Sequence, residues 1–279
     1  MDIIDLHIHS TYSDGTLTPT EIVRKAEQEK IKVIAITDHD TIEGLEEFNM
    51  CGSNYVEKVN GVEISVQMRD FNFHMVGLFI DYSDEEFREK INLLKNARID
   101  RNRKIIKKLN ELGYSITYEE LEEIAKGEIG RPHFSQILLK KNYFRDKREV
   151  FEKLLKKGAP AYFDKFRFNP EEAIKLIKNQ GKGISILAHP GLLPFPKKEK
   201  LAIITELKKA GLDGLEIYYS EHTPEEIAFL KKIAKDLKLA VSGGTDFHGD
   251  NKPGISLGIG RGNLRVEYKI FEELKNFRR

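Results

Sequence analysis

The sequence predicts an α/β fold in which parallel strands are joined by crossover helices. Three observations lead there. Short apolar runs alternate with helical patterns along most of the chain. Nearly every apolar run ends in His, Asp or Glu. One long stretch, 84–164, keeps helical spacing throughout.

Ile3 to Leu6 is the first strand-like run, and it ends in His7-Ile8-His9-Ser10. Thr18-Pro19-Thr20-Glu21 starts a helix, with Thr18 as cap and Pro19 at the first helical position. Ile22 and Ala26 supply its apolar face. Val33 to Ile36 is a second buried run, ending at Thr37-Asp38-His39-Asp40. Tyr55 to Val66 and Phe71 to Ile80 are two more strands around a turn at Arg69-Asp70. The β-α-β order suggests a parallel sheet. From Asp84 to Asp164 apolar residues recur at helix spacing, among them Ile91, Leu94, Ile105, Leu109, Ile137 and Leu138. This stretch reads as a helical insert. The β-α alternation returns after Asn169-Pro170. Gly183 to Leu187 ends at Ala188-His189-Pro190, Gly214 to Tyr219 at Ser220-Glu221-His222, and Leu239 to Ser242 at Gly243-Gly244-Thr245-Asp246-Phe247-His248. The expected division is a strand-bearing domain, 1–83 with 165–279, and a helical insert, 84–164.

Composition narrows the function. Apolar residues make up 40% of the 279 and charged residues 33%, as in a soluble globular chain. The 46 Lys and Arg nearly balance 45 Asp and Glu, so bulk charge does not hold duplex nucleic acid. Cys51 is the only cysteine, which removes disulfide frameworks and thiolate zinc sites. No apolar run reaches the roughly 18 residues of a membrane span. Met1-Asp2-Ile3-Ile4 lacks the marks of a secretory signal, so the expected address is the cytoplasm.

The histidines carry the chemistry. His7, His9, His39, His189 and His248 follow strand runs, and His74 lies inside one. In β/α barrels the carboxyl ends of strands converge on one face. His7 and His9, two apart on an extended chain, turn their rings to the same side. Together with Asp14, Glu63 and Asp246 these side chains form an imidazole and carboxylate set without thiolates, which favours Zn, Mn or Fe over Ca or Mg.

Asp5-Leu6-His7-Ile8-His9-Ser10 with Ser13-Asp14-Gly15 resembles the first motif of the PHP (polymerase and histidinol phosphatase) family. Thr37-Asp38-His39-Asp40, Gly61-Val62-Glu63, Phe73-His74-Met75-Val76-Gly77, Ala188-His189-Pro190 and Thr245-Asp246-Phe247-His248 resemble its remaining motifs. Within the family the chain is most similar to phosphoesterases of nucleoside 3′,5′-bisphosphates and short oligonucleotides. The resemblance implies a distorted seven-stranded β/α barrel and three divalent metal ions, with Mn favoured and Fe or Zn as alternatives. It assigns His7, His9, Glu63 and Asp246 to the first ion. Glu63 bridges to a second ion held with His74 and His189, and Asp14, His39 and His248 hold the third. Asp40 is either an orienting group behind the ligands or a helix cap. Three carboxylates and three divalent ions leave the site at a net charge of +3, which suits a phosphate ester.

Further residues are candidates for holding substrate. Arg98, Arg101 and Asn102 share one helix face, which is either a solvated basic face or, as in related phosphoesterases, a face turned to the metals. In Gly130-Arg131-Pro132-His133, Arg131 has the fork for two phosphate oxygens and His133 donates from a helix start. A capped helix with exposed polar residues is the plainer reading. His222 is a substrate contact or an ordinary loop histidine. The expected activity is metal-dependent hydrolysis of a nucleotide phosphate ester, with Arg131 and His133 in the catalytic machinery. The expected partner is a small phosphorylated substrate, without membrane. Alternatives are a histidinol-phosphate phosphatase and a non-catalytic, metal-stabilised module.

Overall fold

The computed structural model describes residues 2–125 and 129–278. Its sheet contains β1 (Ile3–Ile8), β2 (Ile31–Ile36), β3 (Glu57–Met68), β4 (Phe71–Leu78), β5 (Ile184–Leu187), β6 (Gly214–Tyr219), β7 (Ala240–Gly244) and β8 (Val266–Glu267). The spatial order is β7-β6-β5-β4-β3-β2-β1-β8. The ring nearly closes, because the segment after β7 bonds to the end of β1: His9 N donates to Phe247 O and Asp246 N to His7 O. Seven strands are the expected ones. The eighth, two residues long, pairs antiparallel with Ile3 and Ile4 and was not legible as a strand.

The sheet is not wholly parallel. β4 runs antiparallel to both β3 and β5. The cause is local: Arg69-Asp70 leaves two residues between β3 and β4, enough for a hairpin and far too few for a crossover. Arg69 takes a positive φ of 54° to make the turn.

Helices α1 (Pro19–Gln28), α2 (Gly44–Met50), α3 (Glu85–Glu111), α4 (Tyr118–Ala125), α5 (Arg131–Lys140), α6 (Lys147–Val150), α7 (Pro170–Lys175), α8 (Lys197–Lys209), α9 (Pro224–Asp236) and α10 (Tyr268–Phe277) follow. Residues 126–128, within the stretch expected to be helical, lie outside the described residues. Three helices start with the same device. Thr18, Asn169 and Thr223 each cap a helix with Pro next and Glu at the third position, giving a reciprocal pair of bonds. Each such cap contributes about 1 kcal/mol.

Both faces of the strands are buried. Ile34 and Ile36 of β2 join a core with α1, α2, α3, α7, α8 and α9. Val33 and Ala35, pointing the other way, join a second core closed off by Phe271 and Leu274 of α10. A third cluster, including Ile105, Leu121, Phe134, Leu138 and Leu155, belongs to the helical stretch. No helix among the described residues is long and apolar enough to cross a membrane.

Candidate metal centre

The strand ends gather the ligand-type residues. His7 and His9 leave β1 with ring centroids 5.2 Å apart. The chain then folds back so tightly that a Cβ on Gly15 would lie 2.2 Å from the His9 carbonyl oxygen. Asp38 accepts bonds from Ser10 N (2.7 Å), Ser10 Oγ (2.6 Å) and Ser13 Oγ (2.6 Å), and so shapes the loop that presents Asp14. His39 follows β2 and forms a bridge with Glu63 of β3. His74 lies inside a strand rather than after one, and topology explains it. Because β4 runs backwards, its amino-terminal half reaches the rim where β2 and β5 end. Asp40, His189 and Asp246, at three of these ends, are non-glycine residues with positive φ (54°, 32° and 56°). Such backbone costs on the order of 1–3 kcal/mol per residue and persists where surrounding bonds enforce it.

Glu63 is the hub. Its Oε2 lies 3.2 Å from His7 Nε2, 3.1 Å from His9 Nε2 and 3.0 Å from His39 Nδ1. Its Oε1 lies 3.0 Å from His74 Nδ1 and 3.1 Å from His189 Nε2. Asp246 Oδ1 lies 3.2 Å from His9 Nε2 and 3.4 Å from His248 Nδ1, and Asp14 Oδ1 lies 3.2 Å from His248 Nε2.

This donor set fits divalent metal ions. Buried polar atoms normally find hydrogen-bond partners. Here His7 Nε2, His9 Nε2, Asp14 Oδ1, His39 Nδ1, Glu63 Oε2 and His74 Nδ1 are buried without one. Ligand atoms within 4.8 Å of one another form three sets: His7, His9, Glu63 and Asp246; His9, Asp14, His39 and His248; and His39, Glu63 and His74. His189 reaches the same place through Glu63 Oε1.

The charges agree. Burial alone would raise the Glu63 carboxyl, yet His39, His74 and His7 hold it well below the usual range. Burial resists a charge on His7, yet Glu216, Glu63 and Asp246 push it well above the usual imidazole value. The carboxylates pull cations onto the imidazole side, and a metal ion competes with protons for those nitrogens.

Seven of these nine residues line a cavity of about 400 Å³, all but His7 and His9. One wall is Gly130, Pro132, His133, Gln136 and Lys147; the other includes Leu192, Tyr219, Glu221, Asn251 and Lys252. His133 Nδ1 accepts from Gly130 N (3.0 Å), which leaves the ring proton on Nε2. Arg98, Arg101, Asn102 and Arg131 are not among the residues that line the cavity. Arg98 Nη2 donates to Asp40 Oδ2 (2.6 Å). Arg101 and Asn102 bond each other and the Ile129 carbonyl. Arg131 donates to Leu155 O (3.2 Å) and lies over the Tyr162 ring.

The structure bears on two readings that the sequence left open. His222 does not face the cavity: it is buried, Nδ1 donates to Ile217 O (2.9 Å) and Nε2 accepts from Gly191 N (3.0 Å). Nδ1 is used on β6 and Nε2 on the turn after β5. Asp40 is not a helix cap either. It bonds Ser65 N (2.7 Å) and Oγ (2.8 Å), Arg98, and Lys165 Nζ (2.5 Å), joining a ligand-bearing loop to α3 and the segment that returns from it.

Sequence reasoning missed Lys165, Arg167, Lys252 and Glu216. Lys165 and Arg167 fall in a stretch without periodicity and carry no spacing signal. Lys252 Nζ lies 2.7 Å from Asp246 Oδ2 and 2.9 Å from Tyr219 Oη. Glu216 carried a signal, a carboxylate in the apolar run Gly214 to Tyr219, since a buried charge needs partners.

The geometry has relatives. The PHP domain model matches residues 5–188. A 5′-3′ exoribonuclease from Haemophilus influenzae is 33% identical over 245 residues, covering 88% of this chain and 89% of that protein. A 3′,5′-nucleoside bisphosphate phosphatase from Chromobacterium violaceum is 30% identical over 258 residues, covering 91% and 90%. A solved structure from Bifidobacterium adolescentis, assigned to the metal-dependent phosphoesterases, superposes with a TM-score of 0.83 at 26% identity, over 99% of this chain and 96% of that one. With its motifs on one rim and its fold shared along nearly the whole length, the chain belongs to the PHP domain family.

Proposed function

We propose that this chain, a metal-dependent phosphoesterase by family and fold, converts a nucleoside 3′,5′-bisphosphate to the nucleoside 5′-monophosphate. Short 5′-phosphorylated oligonucleotides are further substrates in this reading. The observation that carries it is a nine-residue ligand cluster beside a buried zone with excess positive charge. Arg98, Arg101, Arg131, Lys165 and Arg167 act on one another electrostatically, with Asp40 and Asp164 as the acidic partners. Burial and then the neighbouring arginines push Arg101 down to about 9. Four arginines and a partly protonated Lys165 against two carboxylates favour a second anion, which a bisphosphate brings.

Three divalent ions, Mn foremost, are assigned as the family resemblance implies: His7, His9, Glu63 and Asp246; Glu63, His74 and His189; Asp14, His39 and His248. When bound, the ions supply Lewis-acid polarisation of the phosphate oxygens. The chain's own residues do the rest. Arg131, with Arg98, Arg101 and Asn102, places the second phosphate. His133 donates from Nε2 into the cavity, and Lys252 adds positive charge on the opposite wall. In this reading residues 84–164 form a substrate-binding cap on a barrel made of 1–83 and 165–279.

The test compares kcat/KM for adenosine 3′,5′-bisphosphate, adenosine 3′-monophosphate and histidinol phosphate at one salt concentration. Charge-assisted bonds at about 1.5–3 kcal/mol each give the bisphosphate a tenfold or greater advantage. Chelation abolishes turnover and Mn restores it. Equal rates for the two adenosine phosphates sink the two-phosphate reading, and a lead for histidinol phosphate replaces it.

A further inference from the structure

We propose that Glu216 is a positioning residue that couples two of the metal sites from behind. The inference rests on the metal-centre reading above. Glu216 lies within β6, and its side chain is buried. Its Oε1 is 2.8 Å from His7 Nδ1, and its Oε2 is 2.7 Å from the His189 backbone nitrogen. His7 and His189 serve different ions in the proposed assignment.

The two contacts do different things. A carboxylate offers acceptors only, so His7 must carry its proton on Nδ1. That choice leaves the Nε2 lone pair aimed at Glu63 and Asp246, 3.2 Å and 3.7 Å away, as a metal requires. The second contact acts on backbone. His189 has φ 32° and ψ 53°, a left-handed conformation that a β-carbon disfavours. The bond from its N–H to Glu216 holds that conformation, which directs the imidazole to Glu63 Oε1, 3.1 Å away. Glu63 joins the two histidines on the ligand side, and Glu216 joins them on the far side. One buried carboxylate therefore sets a ring tautomer at one ion and a backbone turn at the next.

Glutamine cannot replace it. An amide has one acceptor oxygen and a donor NH2, so it serves the His7 ring or the His189 N–H but not both. If the NH2 faces His7, the ring proton moves to Nε2 and blocks the ligand atom.

The experiment uses the full chain, stripped with a chelator and titrated with Mn2+ by calorimetry, with bound Mn counted by mass spectrometry. Wild type, Glu216→Gln and His74→Ala are compared, and circular dichroism confirms the fold. Glu216→Gln is expected to weaken two ions together, by about 10–100-fold each. His74→Ala is expected to lose one. The 15N shifts of His7 in the wild type loaded with diamagnetic Zn2+ should report Nδ1–H, and this readout stands even if the glutamine variant fails to fold. Wild-type Mn affinity in folded Glu216→Gln overturns the proposal. So does a loss confined to one ion, or an Nε2–H tautomer for His7 in the wild type. Absence of Mn binding by the wild-type chain instead overturns the metal-centre reading itself.

Discussion

Gly244 and His7 meet backbone to backbone where the barrel closes: a Cβ on Gly244 would lie 2.4 Å from the His7 nitrogen and 2.5 Å from its Cβ. Gly244→Ala must push β7 away from β1, which moves Asp246 away from His7 and His9. A loss of at least about 2 kcal/mol in stability is expected, together with weaker metal binding. Urea denaturation and bound-metal counts check it, and a wild-type midpoint with full metal content refutes it.

Glu63 faces five imidazoles with two oxygens. Glu63→Gln converts one of them to an NH2 that cannot ligate. At least one ion per chain should be lost and kcat should fall roughly hundredfold or more. Three retained ions with normal turnover would show the hub assignment to be wrong.

Arg131→Lys keeps the charge but loses the planar fork and the stacking on Tyr162. Because Arg131 is not a metal-ligand residue, bound metal should be unchanged. For the bisphosphate kcat/KM should drop about tenfold, while the 3′-monophosphate should change less. Identical kinetics on both substrates would leave Arg131 as a helix-start residue held to Leu155.

Lys165 makes stability depend on pH. Burial, followed by Arg98 and Arg167, outweighs the pull of Asp40 and sets its ammonium at about 7, below its ordinary 10.5. Between those values the unfolded chain holds the proton and the folded chain does not. Unfolding free energy therefore rises with pH across that window through this group, and the cost is fully present below about 7. Lys165→Met removes this component. In chelator-treated protein the urea midpoint of wild type, relative to Lys165→Met, should climb from pH 7 to pH 9.5. Parallel profiles would contradict it.

The sequence made the strand ends legible because histidines and carboxylates followed apolar runs, a one-dimensional pattern. Thr18-Pro19-Thr20-Glu21 was legible for a similar reason, since caps act over three residues. The reversal of β4 was available in the short turn at Arg69-Asp70, but the surrounding β-α alternation suggested parallel strands instead. β8 is too short to carry alternation. The setting of His222 stayed open because its partners, Ile217 O and Gly191 N, are backbone groups that no residue pattern announces. The Asp40, Arg98 and Lys165 contact spans 125 residues, and only the fold brings it together.

The ligand-type residues run from His7 to His248, near opposite ends of the chain. Such non-local assembly is slow to form, because the intervening chain must be arranged before any contact rewards it. During synthesis, His7, His9 and Glu63 emerge early and wait for Asp246 and His248, which follow β7. A nascent chain that stops before His248 holds an incomplete cluster of imidazoles and carboxylates. Assembly of the full residue cluster is therefore a late event of folding, and it requires that β7 has docked on β1.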